Sequence, residues 1–182
     1  MIKKFYPLIL SIIFTACAAK LPYATDYPMT RQIFHSRDGV LAGSIPSGWF
    51  TPLDDTLSPA IVGWLIKDDF SASITIMELK LDNNTENRVR KEGIELLARI
   101  SIGLLEDNYR AQDFQYQIFE LKGKEYCSYE FSNGFGRRRM AVFSSAGKYY
   151  QCESRPVRGE WTGTDLAKLF TVQQTFLFSL SP

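Results

Sequence analysis

Histidine is nearly missing from this chain: His35 is the only one in 182 residues. A His-based acid/base pair, a Ser-His-Asp arrangement and a multi-His metal site therefore cannot be built. His35 itself reads as a partly exposed strand residue. A charge excess is also missing, with 21 Lys and Arg against 20 Asp and Glu and a net charge of +1. Nucleic-acid binding usually needs a basic excess, so no nucleic-acid partner is expected. There is no phosphate-binding loop pattern and no nucleophile elbow. Asp54-Asp55 and Asp68-Asp69 read as turn carboxylates, because no spaced ligand series for calcium accompanies them. No catalytic residue, metal or cofactor follows from the sequence. No apolar run reaches the roughly 20 residues of a transmembrane helix. Internal repeats and low-complexity tracts are lacking too.

What is present is a globular composition, 45% hydrophobic and 23% charged, with an aromatic share of 14%. Aromatics at that level predict a core built on Phe, Tyr and Trp. The N-terminus is different in kind. Lys3 and Lys4 precede an apolar run from Phe5 to Phe14, interrupted by Pro7 and Ser11, and small residues lead to Cys17. This is the layout of a cleaved secretory signal.

Phe14-Thr15-Ala16-Cys17 resembles the bacterial lipobox, with Phe14 where an aliphatic residue is usual. The resemblance implies diacylglyceryl attachment to the Cys17 sulfur, cleavage before it, and N-acylation. Two or more acyl chains anchor stably where one is marginal, each buried methylene contributing about 0.8 kcal/mol. Ala18 follows the cysteine, which resembles outer-membrane lipoproteins facing the periplasm of Gram-negative cells. The expected organisation is a signal peptide over 1–16, a lipidated N-terminus and tether over 17–30, and one domain over 31–182. Pro22 and Pro28 and the lack of any period suggest that the tether stands the domain off the membrane.

From Gln32 short alternating runs predict strands at 32–37 and 40–45, joined by the hairpin dipeptide Asp38-Gly39. Further strands are predicted at 60–66 and 71–81, the second with Ala72, Ile74 and Ile76 on one face. Asn83 with Glu86 resembles a capping box opening a helix to about Glu106. Its apolar stripe holds Val89, Gly93, Leu96, Leu97, Ile100 and Leu104, and Gly93 in that stripe suggests close approach to the sheet. Four strands follow, at 115–121, 124–131, 137–143 and 148–153, with turns at Lys122-Gly123, Asn133-Gly134 and Ala146-Gly147. Such short loops make antiparallel neighbours. Thr162 or Thr164 caps a last helix whose buried face includes Leu166, Leu169, Phe170, Gln173, Phe176, Leu177 and Leu180. The expected fold is α+β: an antiparallel sheet of about seven to eight strands with helices packed on its faces.

Ser44-Ile45-Pro46-Ser47-Gly48-Trp49-Phe50, with this order of elements, resembles the PsbP-like superfamily. That group includes the extrinsic PsbP protein of photosystem II, a eukaryotic Ran-binding import factor and bacterial lipoproteins of the DcrB type. The likeness spans Gln32 to Leu180. It extends to the mid-chain helix, the aromatic strands around Tyr149-Tyr150 and the closing helix with Phe176. The resemblance implies a non-enzymatic protein and transfers no particular partner.

Three groups of residues remain. An oxidising compartment favours a Cys127–Cys152 disulfide. The predicted strand order opposes it: two strand spacings give about 9.6 Å, beyond the ~7 Å limit, so two buried thiols are expected. Arg137, Arg138 and Arg139, with Arg155 and Arg158, form a candidate patch for an acidic partner or lipid headgroups; Glu130 and Glu153 are their alternative, cross-strand partners. Trp49, Trp64 and Trp161 are candidates to line a pocket, with Trp49 also suited to the core. The expected function is an envelope-anchored, non-enzymatic binding or assembly module that meets the membrane through its lipid and an envelope protein as partner. The alternative is a small-ligand receptor or enzyme using a pocket near the aromatic strands. A purely structural lipoprotein is the third reading.

Overall fold

The structure is a computed structural model that describes residues 21–53, 58–105, 114–133 and 136–182. The signal segment, Cys17, Asp54-Asp55 and the expected helix end near Glu106 lie outside the described residues.

Strands β1 (Met29–His35) and β2 (Ala42–Pro46) form a two-stranded antiparallel ribbon. The main sheet contains β3 (Trp49–Phe50), β4 (Ile61–Lys67), β5 (Ala72–Leu79), β6 (Gln117–Leu121), β7 (Lys124–Asn133), β8 (Gly136–Ser145) and β9 (Lys148–Pro156). Its seven strands run antiparallel in the order β3-β4-β5-β9-β8-β7-β6. Among the described residues three helices accompany it: α1 (Asn83–Glu92), α2 (Ile94–Gly103) and α3 (Gly163–Ser179). This is the α+β architecture expected from the sequence.

Alternation along the strands divides the interior in two. Tyr126, Phe143, Tyr150, Ile74 and Ile76 face α3 and the β1–β2 ribbon. Cys127, Tyr129, Phe131, Met140 and Val142 face α1 and α2. Both faces of the central strands are thus covered, and α1 and α2 supply Val89, Ile94, Leu97, Ala98 and Ile102 to the second layer. Two of the expected turns are two-residue loops with both residues at positive φ: Lys122 (50°) with Gly123 (76°), and Ala146 (49°) with Gly147 (77°). Such loops match the twist of the strands they join. The capping box of α3 forms on Thr162 and Asp165.

Five expectations need correction. The Asp38-Gly39 hairpin is not a two-residue loop: β1 stops at His35, β2 starts at Ala42, and only Gly39 has positive φ, at 70°. The Asp38 carboxylate instead folds back on Ser36 Oγ and the Val40 amide, at 2.6 and 3.2 Å, which widens the turn. The single long helix is two, broken at Gly93 with φ 87° and ψ −175°. A Cβ there would meet nothing within 4 Å, so close approach to the sheet is not its role; the left-handed backbone is, because glycine adopts it without steric cost. The N-cap of α1 is Asp82, not Asn83; its side chain accepts from the Asn84 and Thr85 amides. The tether placed over 17–30 is, from Leu21 on, part of the body. Leu21, Tyr23 and Tyr27 pack against the core, and Tyr27 donates to the Ser47 carbonyl at 3.1 Å.

Close approach does occur at Gly63 on β4. A Cβ there would lie 2.5 Å from Phe34 Cζ and 3.4 Å from Ile76 Cβ. Phe34 is held in turn edge-on against Phe176, at 5.3 Å between ring centroids. Gly63→Ala should therefore destabilise the domain by about 1–3 kcal/mol through overpacking. Thermal unfolding should show a lowered Tm, and an unchanged Tm would mean that Phe34 yields freely.

Candidate functional site

The five candidate arginines do not make one patch. Arg139, on β8, is 0% exposed and points into the layer beneath α3. Its Nη1 donates to Gln173 Oε1 at 2.9 Å, and its Nη2 donates to Gln174 Oε1 at 2.6 Å and Ser128 Oγ at 3.3 Å. The rings of Tyr23 and Phe119 lie 5.0 and 5.6 Å from the guanidinium carbon. Burial lowers its pKa to about 10, which leaves it charged at neutral pH. It is a core residue, and the surface patch loses its central member.

The others divide between the faces. Arg137 lies 3.3 Å from Glu130 on the α3 face. Arg138 pairs with Glu153 at 2.9 Å on the opposite face, where Arg155 also donates to Ser73 Oγ at 3.3 Å. Arg158, in the loop after β9, donates to the Asp69 carbonyl and covers the Phe70 ring. The cross-strand carboxylates anticipated as alternative partners, Glu130 and Glu153, are thus both engaged.

Tyr23 closes the Arg139 site from outside. Its hydroxyl donates to Glu130 Oε1 at 2.5 Å, and its ring meets Phe170 edge-on at 5.4 Å. Burial and the Glu130 carboxylate push the Tyr23 hydroxyl up to about 12, so it stays a donor.

A second polar cluster was not visible in the sequence. Asp38 accepts from Lys148 Nζ at 2.9 Å and from the Tyr150 hydroxyl at 2.8 Å, besides Ser36 and Val40. Burial opposes its charged form, but the bonds from Ser36, Lys148, Tyr150 and Val40 outweigh it and hold the pKa at about 2. The long separation between residues 38 and 148–150 is why no local pattern disclosed it. On the α2 face, Ser101 bonds to the Tyr129 hydroxyl at 2.8 Å and to Gln151 Oε1 at 2.7 Å.

Cys127 and Cys152 are free and buried, on opposite faces of the sheet with β8 between them. Burial pushes both thiols up to about 12, so neither is a nucleophile at neutral pH. His35 is exposed on β1. Among the described residues no group of His, Cys, Asp and Glu is arranged to hold a metal ion.

Two cavities open near one end of the sheet. The first, about 300 Å³, lies between Tyr27, Trp49, Trp161, Leu169, Lys67 and Arg158. Trp161 lines this cavity, Trp49 borders it while sitting in the core at 5% exposed, and Trp64 is not among its walls. Trp161 is fixed there by donating Nε1 to the Arg158 carbonyl at 3.0 Å. The second, about 320 Å³, lies between Gln115, Gln117, Tyr129, Glu130 and Arg137.

No family model matches the chain, and no curated protein sequence matches it. Solved structures do. Cyanobacterial PsbP (CyanoP) from Synechocystis is 11% identical at a TM-score of 0.50, over 82% of this chain and 91% of its own. The Ran-binding protein Mog1p of Saccharomyces cerevisiae is 12% identical at a TM-score of 0.53, over 84% and 95%. The chain has the PsbP-like fold. LpqN, involved in cell envelope biogenesis of Mycobacterium tuberculosis, is a looser likeness at a TM-score of 0.45, with 12% identity over 88% and 98%. At such identities the PsbP-like fold alone is shared, and what each protein binds stays its own.

Asp38 gives a pH-dependent test. Its folded pKa of about 2 lies below the ordinary 3.8, so its stabilisation is complete above 3.8 and is lost as pH falls towards 2. Asp38→Asn should cost about 1.5–3 kcal/mol at pH 7, the range for hydrogen bonds to charged groups. Denaturant unfolding should show the gap between wild type and variant closing between pH 4 and pH 2. A gap independent of pH would assign the effect to shape and not to charge.

Proposed function

We propose that this PsbP-like domain is held at a bacterial membrane by a lipid on Cys17 and works in the cell envelope by binding another protein, without catalysis. The observation that carries the second half is where the reactive side chains are spent. Cys127 and Cys152 are sealed on opposite faces, and Asp38 is consumed by Ser36, Lys148 and Tyr150. Asp165, which lines the first cavity, is tied to Thr162 as the cap of α3. Side chains committed in this way hold the fold together and do not move protons for a substrate. The same fold serves protein binding in Mog1p, a Ran-binding protein. The lipobox-like Phe14-Thr15-Ala16-Cys17 supports the anchor, and Ala18 supports the periplasmic face of the outer membrane in a Gram-negative host.

The 300 Å³ cavity favours a second reading, a receptor for a small ligand. It is at the lower end of ligand-site volumes and combines aromatic walls with a few charged groups, as such sites do.

Two measurements separate these readings. In the native host, wild-type protein should fractionate with membranes and its mature N-terminus should carry the mass of acylated Cys17. Cys17→Ser should be soluble; membrane association of that variant, or an unacylated N-terminus in the wild type, would overturn the anchor. Thermal-shift screening against metabolites should leave Tm unchanged if the domain is a protein-binding module. A saturable rise in Tm with one ligand, abolished by Trp161→Ala, would favour the receptor instead.

A further inference from the structure

We propose that the end of the sheet formed by the 67–71 turn and the 156–161 loop faces the bilayer, with Phe70 and Val157 in the headgroup layer. This rests on the lipid on Cys17 proposed above and adds to it an orientation and a contact surface.

Strand register defines that end. Ala72 pairs with Pro156, Arg139 with Ser154, and Asn133 with Gly136, so the β4–β5 turn, the last residue of β9 and the start of β8 lie together. The N-terminus of α3 lies there too, because Gly163 follows the loop after β9. The N-terminal segment then runs towards it. The Tyr27 amide donates to Thr175 Oγ1 at 3.2 Å, whereas Tyr23 packs on Phe170. Five helical residues span about 7.5 Å, so the chain, traced back from Tyr27, climbs along α3 towards its start. Leu21 packs on the same body, and Cys17 is only four residues before it. Four residues reach at most about 14 Å. An acyl chain on Cys17 therefore holds the bilayer close to this end.

The surface it meets is suited to an interface. Phe70 is 53% exposed and Val157 is 51% exposed. Phe70 sits in the turn at φ 58°, in the left-handed region that bulky residues rarely occupy. Phe50 meets its ring edge-on at 5.8 Å, and the Arg158 guanidinium lies 5.7 Å above it. The Lys67 ammonium lies 5.9 Å from the Trp161 ring. Aromatic rings with neighbouring cations are what the membrane–water boundary favours. The opposite end closes in the Lys122-Gly123 and Ala146-Gly147 turns, and its Phe178 ring lies 4.5 Å beneath the Lys122 ammonium. Charge does not drive the contact: Lys67, Arg158 and Lys168 stand against Asp68, Asp69, Glu160 and Asp165 around the same cavity and turn, which leaves no cationic excess to attract a headgroup. The contact is apolar, and it forms on zwitterionic lipid.

The test uses full-length lipidated protein in phosphatidylcholine vesicles containing a lipid-borne quencher. A fluorophore is placed on Val157→Cys, or on Glu125→Cys at the far end of β7; the native Cys127 and Cys152 are buried and do not react. The Val157 label should be quenched about threefold more than the Glu125 label, since interfacial side chains sit roughly 5–10 Å into the boundary. Adding Phe70→Asp should reduce quenching at Val157 without releasing the protein, and replacing part of the lipid by an anionic one should change little. Equal quenching at both positions, or more at Glu125, in protein that still floats with vesicles would overturn the orientation, leave the anchor standing and free this end for a protein partner. Quenching that needs anionic lipid and vanishes in salt would overturn the apolar contact. Protein that does not float with vesicles would overturn anchor and orientation together.

Discussion

A guanidinium sealed inside the molecule constrains everything around it. Removing a charge from water costs several kcal/mol unless other groups replace the lost hydration. Among the described residues Arg139 has no carboxylate at hydrogen-bonding distance and relies on two glutamine oxygens, a serine hydroxyl and two aromatic faces. Those groups come from α3, β7, β6 and the N-terminal segment. Apolar packing alone is non-directional and would tolerate a helix shifted by a turn. Gln173 and Gln174 do not tolerate it, because a shift would strand the charge. Gln173 also donates Nε2 to the carbonyls of Arg139 and Cys152, at 3.2 and 2.7 Å, and so fastens α3 to two strands at once.

Around that point the sheet is buried on both faces, by α3 and the β1–β2 ribbon on one side and by α1 and α2 on the other. A sheet covered in this way has little free surface except at its edges and ends. That explains why the groups with the largest pKa shifts are structural: burial raises the thiols and the Tyr126, Tyr129 and Tyr150 hydroxyls above their ordinary range. It also explains why both cavities open near the ends of strands, one against the 156–161 loop and the other beside Glu130 and Arg137.

The sequence was legible where local chemistry decides the outcome. Lys122-Gly123 and Ala146-Gly147 separate alternating runs by two residues, and hairpins follow. Thr162, one of the two threonines read as its cap, does start α3, and the apolar spacing marks the buried face. What stayed hidden depends on distant residues. Arg137 and Arg139 alternate alike, yet only Arg139 lies under α3; periodicity assigns a face and not the cover on it. Gln173-Gln174 inside an apolar helix face was the one signal that something polar had to be met there. Asp38 looked like a turn residue because its partners, Lys148 and Tyr150, are over a hundred positions away. Gly93 read as a packing glycine, since sequence spacing cannot separate a missing side chain that makes room from one that permits a left-handed backbone.

The N-terminal segment links these constraints. Tyr23 lies six positions after Cys17, covers Arg139 and bonds to Glu130, and Tyr27 is tied to Thr175 and Ser47. A flexible tether would let a lipid-anchored domain present any surface to its surroundings. A segment that completes the site of a buried charge cannot come free without exposing that charge, so from Leu21 on it behaves as part of the body. An anchor attached through it fixes orientation as well as distance. Under the proposed orientation, the surfaces left for a partner are the α1–α2 face and the far turns, and the same few side chains of the N-terminal segment serve core stability.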